Sequence, residues 1–344
     1  MLKSFIRTAL DGGSLHHEAA HEAMSIVMNG QATPSQVAAW LVALRMKGET
    51  IDEIVGFARA MRGAMRPLTD VPADAIDTCG TGGDELCTFN ISTAAALVVA
   101  ACSVPVAKHG NRAVSSQSGS ADVLAALDFE IDPGPEVVSR ALTETRFAFM
   151  FAPRFHPAMK HALAPRREIG VRTVFNILGP LCNPAGVKRQ IVGVYDRAWM
   201  TPLAEVLGAL GAERAMVVAG ADGADELLPT GVNHVAEWDG TDVRTYTISA
   251  ADAGLTECAL DDLSGGEAAA NADVIRRIAA GDTGPKTDTV LLNAAAALLV
   301  AGCVESLAAG VARAREAIAT GDMADLLSRA VAATRMPTRP ENRE

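Results

Sequence analysis

Aromatic residues make up only 4% of the 344-residue chain, and 30 Lys and Arg are outnumbered by 41 Asp and Glu. With few aromatics, the core must be built largely from alanine and valine, which suits helices packed closely on a sheet. The net charge of -11 and a pI near 5.2 exclude the broad basic face that nucleic acid or an anionic membrane requires. Long apolar runs are also missing. The most apolar stretch, Val290 to Gly302, is too short to span a bilayer and contains Asn293. The N-terminus has no apolar segment before a small-residue cleavage site, so no signal peptide is expected. None of the six cysteines forms a C-x-x-C pair, so reduced thiols are expected rather than a zinc or redox site. Together these absences predict a soluble cytoplasmic protein that binds neither nucleic acid nor membrane.

Against this acidic background, residues 108–120 read KHGNRAVSSQSGS: a lysine, a histidine, an arginine and four serines, with no carboxylate. Such a run of donors suits a ligand rich in anionic oxygen. The surrounding pattern shows where it would sit. Residues 1–66 read as helix, with Thr33-Pro34 and Thr50-Ile51-Asp52-Glu53 as helix starts. Beyond Pro67, short apolar runs alternate with helical ones. Strands are expected at 75–78, 104–107, 147–151, 190–195 and 215–219. Helices are expected at 92–102, 120–127, 157–169, 201–210, 268–280 and 289–301. The alternation predicts an α/β fold with a mostly parallel central sheet covered by helices. Segments 234–238 and 243–248, joined through Asp239-Gly240, predict a hairpin. Residues 165–186 interrupt the alternation, reading as helix that returns to the N-terminal helical layer.

Three loops after expected strands carry chemistry. In the first, Gly80, Gly82 and Gly83 let the backbone approach a ligand, and a helix start near Ser92 offers unpaired N–H groups. It lacks the spacing of a Walker A loop or a dinucleotide fingerprint. The second is the donor-rich stretch itself, leading to a helix capped by Ser120. In the third, Asp222, Asp225 and Glu226 follow the strand ending at Ala219, and adjacent carboxylates beside phosphate loops suit Mg²⁺. Each motif alone is short and unspecific; a glycine turn, a solvated basic loop and an acidic surface turn would explain them singly.

Their combination is specific. GTGGD (80–84), TFNIST (88–93), KHGNR (108–112), SGSAD (118–122), HPAMKH (156–161), VRTVFNILGPLCNPA (171–185) and Asp225-Glu226 occur in order over nearly the whole chain. They resemble the anthranilate phosphoribosyltransferase family of tryptophan biosynthesis. The resemblance implies a small all-helical domain, residues 1–70 and 165–186, and a larger α/β domain, residues 71–164 and 187–335, with a tail at 336–344. It implies an active site between the domains and a homodimer formed through the helical one. The implied reaction moves the 5-phosphoribosyl group from phosphoribosyl diphosphate to the amino group of anthranilate, releasing pyrophosphate. This is the second step from chorismate to tryptophan, with about two Mg²⁺ per site expected.

By the same match, phosphoribosyl diphosphate would be held by Gly80, Gly83, Asp84, Thr88, Asn90, Ile91, Ser92 and Thr93 of the first loop. The second loop would add Lys108, His109, Gly110, Asn111, Arg112, Ala113, Val114, Ser115, Ser116 and Ser120. Magnesium would take Ser92, Asp225 and Glu226. Gly80, Asn111, His156, Arg166, Gly179 and Pro180 would line the anthranilate path, and Lys108, His109 and Arg166 would be catalytic. Three positions depart from the family pattern: Glu85 where glycine is frequent, Gln117 where lysine is, and Phe155 where histidine is. They leave the class intact and bear on affinity. Two rival readings are a pyrimidine nucleoside phosphorylase of similar fold and a non-catalytic nucleic-acid-binding relative. The phosphorylase would not need the Asp225-Glu226 pair. His17-Glu18-Ala19-Ala20-His21 also matches H-E-x-x-H, but no third zinc ligand is evident.

Overall fold

The computed structural model describes residues 2–113 and 117–335. The chain opens with four helices, α1 (Leu2–Leu10), α2 (His17–Met28), α3 (Pro34–Lys47) and α4 (Ile51–Ala64). Thr33 and Thr50 each form both halves of a capping box, with Gln36 and Glu53. Glu53 does more than cap: it is fully buried, takes Nζ of Lys47 at 2.7 Å and accepts the Leu15 N–H at 3.0 Å. α2 and α4 cross so closely that a Cβ on Gly56 would lie 2.3 Å from the His17 carbonyl.

Strands β1 (Ile76–Gly80), β2 (Val106–Gly110), β3 (Phe147–Phe151), β4 (Arg189–Gly193), β5 (Arg214–Ala219), β6 (Asn233–Trp238) and β7 (Val243–Ile248) form one seven-stranded sheet. Its order is β3-β2-β1-β4-β5-β6-β7, parallel from β3 to β5, with β6 and β7 added antiparallel as the expected hairpin. The connecting helices are α5 (Ile91–Ala101), α6 (Ser120–Ala126), α7 (Pro135–Thr145), the short α8 (Ala152–Phe155), α9 (Lys160–Ile169), α10 (Phe175–Leu181) and α11 (Met200–Ala209). The chain ends with α12 (Ala268–Ala279), α13 (Pro285–Val300), α14 (Leu307–Ala319) and α15 (Asp322–Thr334).

Alternate strand residues serve two cores, as a period of two requires. Ile191, Met216 and Val218 face α5 and α13, while Val192, Ala215 and Val217 face α11 and the N-terminal helices. The helical layer therefore docks directly on one face of the sheet. α9 packs on α3 and α2, and α10 packs on α4.

Several expected boundaries move. β1 and β2 both run two or three residues further than their apolar runs, so Gly80, Lys108, His109 and Gly110 are strand residues rather than loop. The expected helix 157–169 splits into a 3₁₀ turn, Pro157–Met159, and α9, which continues through Pro165. Residues 165–186 hold the end of α9 and all of α10, with non-helical backbone between them. α13 starts at Pro285, a turn before Thr289, and α7, α14 and α15 had no counterpart in the sequence reading. Val114, Ser115, Ser116 and the tail 336–344 lie outside the described residues.

Candidate active site

The sheet changes direction at β1: the chain proceeds outward through β2 and β3, then returns to add β4 on β1's other side. Ligands of open α/β sheets bind at the carboxyl ends of strands flanking such a point. Here those ends are Gly80 of β1 and Gly193 of β4, paired in register. Gly193 must be glycine, and a side chain at Gly80 would displace the Asp225 carboxylate. A Cβ on Gly193 would lie 1.4 Å from the Asp225 carbonyl oxygen, and one on Gly80 would lie 2.3 Å from Asp225 Oδ2. The 220–228 turn thus lies directly on the ends of β1 and β4.

That contact brings the first and third loops together. The Gly82 N–H donates to Asp225 Oδ2 at 2.7 Å, and the Ser92 N–H, in the first turn of α5, donates to Glu226 Oε1 at 2.8 Å. With Thr78, Ser92, Gly193 and Asn293 the two carboxylates line a small, partly open cleft. Burial, then repulsion from Asp84, raises the Asp225 pKa to about 6. Burial, then repulsion from Asp225, raises that of Glu226 to about 8. Crowded, desolvated carboxylates facing a hydroxyl form the hard-oxygen donor set of Mg²⁺, and a dication relieves the repulsion that raises their pKa values. The residues fit the metal.

Lys108 lies beneath this cleft. It is fully buried in β2, and its Nζ donates to the Thr78 carbonyl at 2.5 Å and to Ser92 Oγ at 3.3 Å. Burial lowers its pKa against the attraction of Asp77, Cys79, Glu226 and Asp225. It therefore braces Ser92 from below, where the sequence placed it in an open loop. Its principal counter-charge, Asp77, gave no signal beyond being an acid in an apolar strand. Asp77 is buried, accepts from Asn183 Nδ2 at 2.8 Å and receives the His109 N–H at 3.3 Å.

The two phosphate loops are joined by side chains. Thr93 Oγ1 donates to Ser120 Oγ at 3.1 Å, and Asn90 Nδ2 donates to the Ser118 carbonyl at 3.0 Å. Asn90 is held in turn by Asn271, which sequence reasoning missed, at 2.9 Å. Thr88 bridges to Ser264, and Ile91 is wholly buried, leaving only its backbone to a ligand. In the second loop the donors do not lack an acceptor. Asp122, just past it, accepts from Arg112 at 2.8 Å, from Ala113 N at 2.9 Å and from Gly119 N at 3.0 Å. Gly119, not Ser120, caps α6. Gly110 lies against Phe149 and Ser120, and exposed Asn111 accepts the Arg112 N–H at 2.8 Å.

The His109 and His156 rings meet tilted, at 48°, with centroids 5.0 Å apart. Burial holds both neutral, at about 3 and about 4. His109 bonds to the Gly179 backbone and His156 to that of Cys182, which ties the histidine pair to α10 and its Gly179-Pro180 step. Both Nε2 atoms are buried without a hydrogen-bond partner. Arg166 stands on α9 with its guanidinium 5.0 Å from the Phe175 ring centre, and burial lowers its pKa. Of the H-E-x-x-H residues, His17 and Glu18 cluster with His16 on the surface; His21 is outside the group.

The family model described as "Glycosyl transferase family, helical bundle domain" matches residues 3–65, and "Glycosyl transferase family, a/b domain" matches 72–324. The chain is 52% identical to the anthranilate phosphoribosyltransferase of Rhodospirillum rubrum over 331 residues, 96% of this chain and 95% of that one. It belongs to the anthranilate phosphoribosyltransferase family. The relative from Moorella thermoacetica is 52% identical over 332 residues, 96% of this chain and 98% of that protein. Among solved structures, the anthranilate phosphoribosyltransferase of Thermus thermophilus superposes with a TM-score of 0.92 at 46% identity, covering 96% of this chain and 99% of that one. The Saccharomyces cerevisiae enzyme in complex with PRPP and Mg superposes with a TM-score of 0.89 at 27% identity, covering 97% of each. As a family member, the chain places its three departures differently. Phe155 is buried in a small core with Leu142 and Met150, and Gln117 is exposed. Glu85 meets Arg172 at 3.5 Å.

Proposed function

We propose that the chain transfers the 5-phosphoribosyl group of phosphoribosyl diphosphate to the amino group of anthranilate, releasing pyrophosphate, in the second step of tryptophan biosynthesis from chorismate. The convergence of Asp225 and Glu226 on the N–H groups of Gly82 and Ser92 carries this reading, since it sets a divalent-cation site against two anion cradles. The yeast relative is described in complex with PRPP and Mg, and in complex with 4-fluoroanthranilate.

Departure of pyrophosphate leaves positive charge on the sugar C1 and adds negative charge to the leaving group. The protein's main task is to offer donors fixed before that charge develops. The start of α5, the glycine loop and Lys108 behind Ser92 do so; losing one such donor typically costs about 3 kcal/mol, on the order of a hundredfold in rate. Asp225, Glu226 and Ser92 would hold about two Mg²⁺, which when bound supply fixed positive charge to the departing diphosphate. The first loop from Gly80, Gly83, Asp84 and Thr88 to Thr93, and the second from Lys108 to Ser120, would grip the phosphates and ribose. The aromatic amine is neutral and attacks without prior deprotonation. Arg166 would pair with the anthranilate carboxylate, beside His109, Asn111, His156 and the Gly179-Pro180 step.

The helical domain is assigned residues 1–70 and 165–186, since α9 and α10 pack on α2, α3 and α4. Leu10, Val42, Met46 and Leu163, exposed on α3 and on the α1 and α9 that pack against it, would form a homodimer interface. A cytoplasmic location is assigned; among the described residues no helix is long and apolar enough to cross a membrane. Loss of anthranilate fluorescence on adding phosphoribosyl diphosphate and Mg²⁺ tests the activity. Unchanged fluorescence, with phosphate-dependent cleavage of a pyrimidine nucleoside, would replace it with the phosphorylase reading.

A further inference from the structure

We propose that Arg172 is a positioning residue that presets the first glycine loop for the diphosphate, with Glu85 as its counter-ion. This rests on the reading of that loop as the diphosphate cradle.

The loop is costly to hold. Gly82, Gly83, Glu85 and Cys87 have φ of 68°, 90°, 62° and 54°, so two side-chain-bearing residues sit in the left-handed region within six positions. Such a backbone persists only where surrounding groups over-determine it. Three ties come from the α/β layer: the Thr81 N–H to the Gly193 carbonyl at 2.9 Å, the Gly82 N–H to Asp225 at 2.7 Å, and the Gly265 N–H to the Cys87 carbonyl at 2.8 Å. Between Gly82 and Cys87 the tie from another part of the chain is Arg172, in the segment joining α9 to α10. Its Nη2 donates to the Gly83 carbonyl at 2.5 Å and to Glu85 Oε1 at 3.5 Å.

Three observations make this a built contact. The guanidinium carbon lies 4.0 Å from the centre of the Tyr195 ring, so its plane is fixed before it reaches the loop. A Cβ on Gly83 would lie 2.9 Å from the guanidinium, and the φ of 90° already favours glycine there, so the arginine packs against bare backbone. In a trans peptide, holding the Gly83 carbonyl towards Arg172 turns the Asp84 N–H the opposite way, so one hydrogen bond sets the direction of a cradle donor. Glu85 stands where the family often has glycine. Its carboxylate faces the guanidinium, an arrangement that adds attraction to a position otherwise strained for any side chain. Arginine is needed, because an ammonium cannot both stack on Tyr195 and present a planar fork.

The test uses the full-length chain with Arg172→Ala, Arg172→Lys and Glu85→Ala. Hydrogen exchange of residues 82–86 in the ligand-free protein should speed up at least about tenfold in Arg172→Ala, with β1 unchanged. Its KM for phosphoribosyl diphosphate should rise about 10- to 100-fold, the weight of a charge-assisted hydrogen bond. The KM for anthranilate should move less than about threefold on that basis. Arg172→Lys should recover little, and Glu85→Ala should show a smaller change of the same kind. A raised KM with unaltered exchange would mean that Arg172 touches substrate directly, and would overturn the proposal, as would an unaltered KM. If the wild-type chain proves not to consume anthranilate, the parent reading fails, while exchange still decides whether Arg172 holds the loop.

Discussion

Replacing Gly193 by alanine probes the junction of sheet and metal turn with a single methyl group. Gly193 has no positive φ, so alanine suits its backbone and the perturbation is purely steric. The new Cβ would start 1.4 Å from the Asp225 carbonyl oxygen, where ordinary contact begins near 3.4 Å. The turn must therefore recoil by roughly 2 Å, since neither partner is a flexible side-chain end. The recoil draws the Asp225 and Glu226 carboxylates off Gly82 and Ser92, each bond being worth about 1.5–3 kcal/mol when one partner is charged. It also disturbs the 2.8 Å bond from the Gly220 N–H to the Ala224 carbonyl. Overpacking of this kind destabilises by about 1–3 kcal/mol. A misplacement of about 1 Å at a reacting site costs on the order of a hundredfold in rate. Gly193→Ala should accordingly lose at least about a hundredfold in kcat/KM, require more Mg²⁺ and melt several degrees lower. Gly63→Ala, in α4 with open space around it, is the control and should leave activity unchanged and stability unchanged or slightly raised. Anthranilate fluorescence and thermal unfolding measure both. Wild-type kinetics in Gly193→Ala would refute the claim that the turn's closeness to β4 sets the site.

Arg166→Ala should raise the KM for anthranilate far more than that for phosphoribosyl diphosphate; equal changes would contradict a carboxylate-binding role. Stability should depend on pH through His109 and His156, whose folded values of about 3 and about 4 lie below the unfolded imidazole value of about 6.5. Because the fold prefers them neutral, their stability is intact above pH 6.5 and is lost as pH falls towards 4 and 3. Since His109 keeps part of its surface in water, the combined loss by pH 5 should be about 2–3 kcal/mol, measured by urea unfolding at pH 8 and pH 5. A flat profile, or one unchanged in a His109→Gln, His156→Gln double variant, would count against it. Val42→Glu with Met46→Glu should convert a dimer to monomer in sedimentation; an unaltered mass would move the interface elsewhere.

Chemistry was more legible in the sequence than geometry. Glycines, hydroxyls and adjacent acids mark loops whatever the packing, so Gly80–Thr93 and Asp225-Glu226 stood out. Lys108 did not reveal its role, because a buried lysine at a strand end and an exposed one in a loop read alike. Asp77, Asn183 and Asn271 act through partners 76 to 181 positions away, and no local pattern encodes such pairings. β1 and β2 outran their apolar runs because parallel neighbours pair the backbone of Gly80 and Gly110 regardless of side chain. α14 and α15 escaped the sequence reading although α15 carries a buried stripe, Met323, Leu326, Ala330 and Ala333, at helical spacing.

The hold of Asp225 and Glu226 on Gly82 and Ser92 has a consequence for selectivity. In the resting protein those anion seats are already taken by the chain's own carboxylates. A newcomer must evict an internal tenant and not merely shed water. Inorganic phosphate holds Mg²⁺ less firmly than a diphosphate does, so under the proposed function it would coax the carboxylates away less readily. Weak inhibition by abundant small anions would follow.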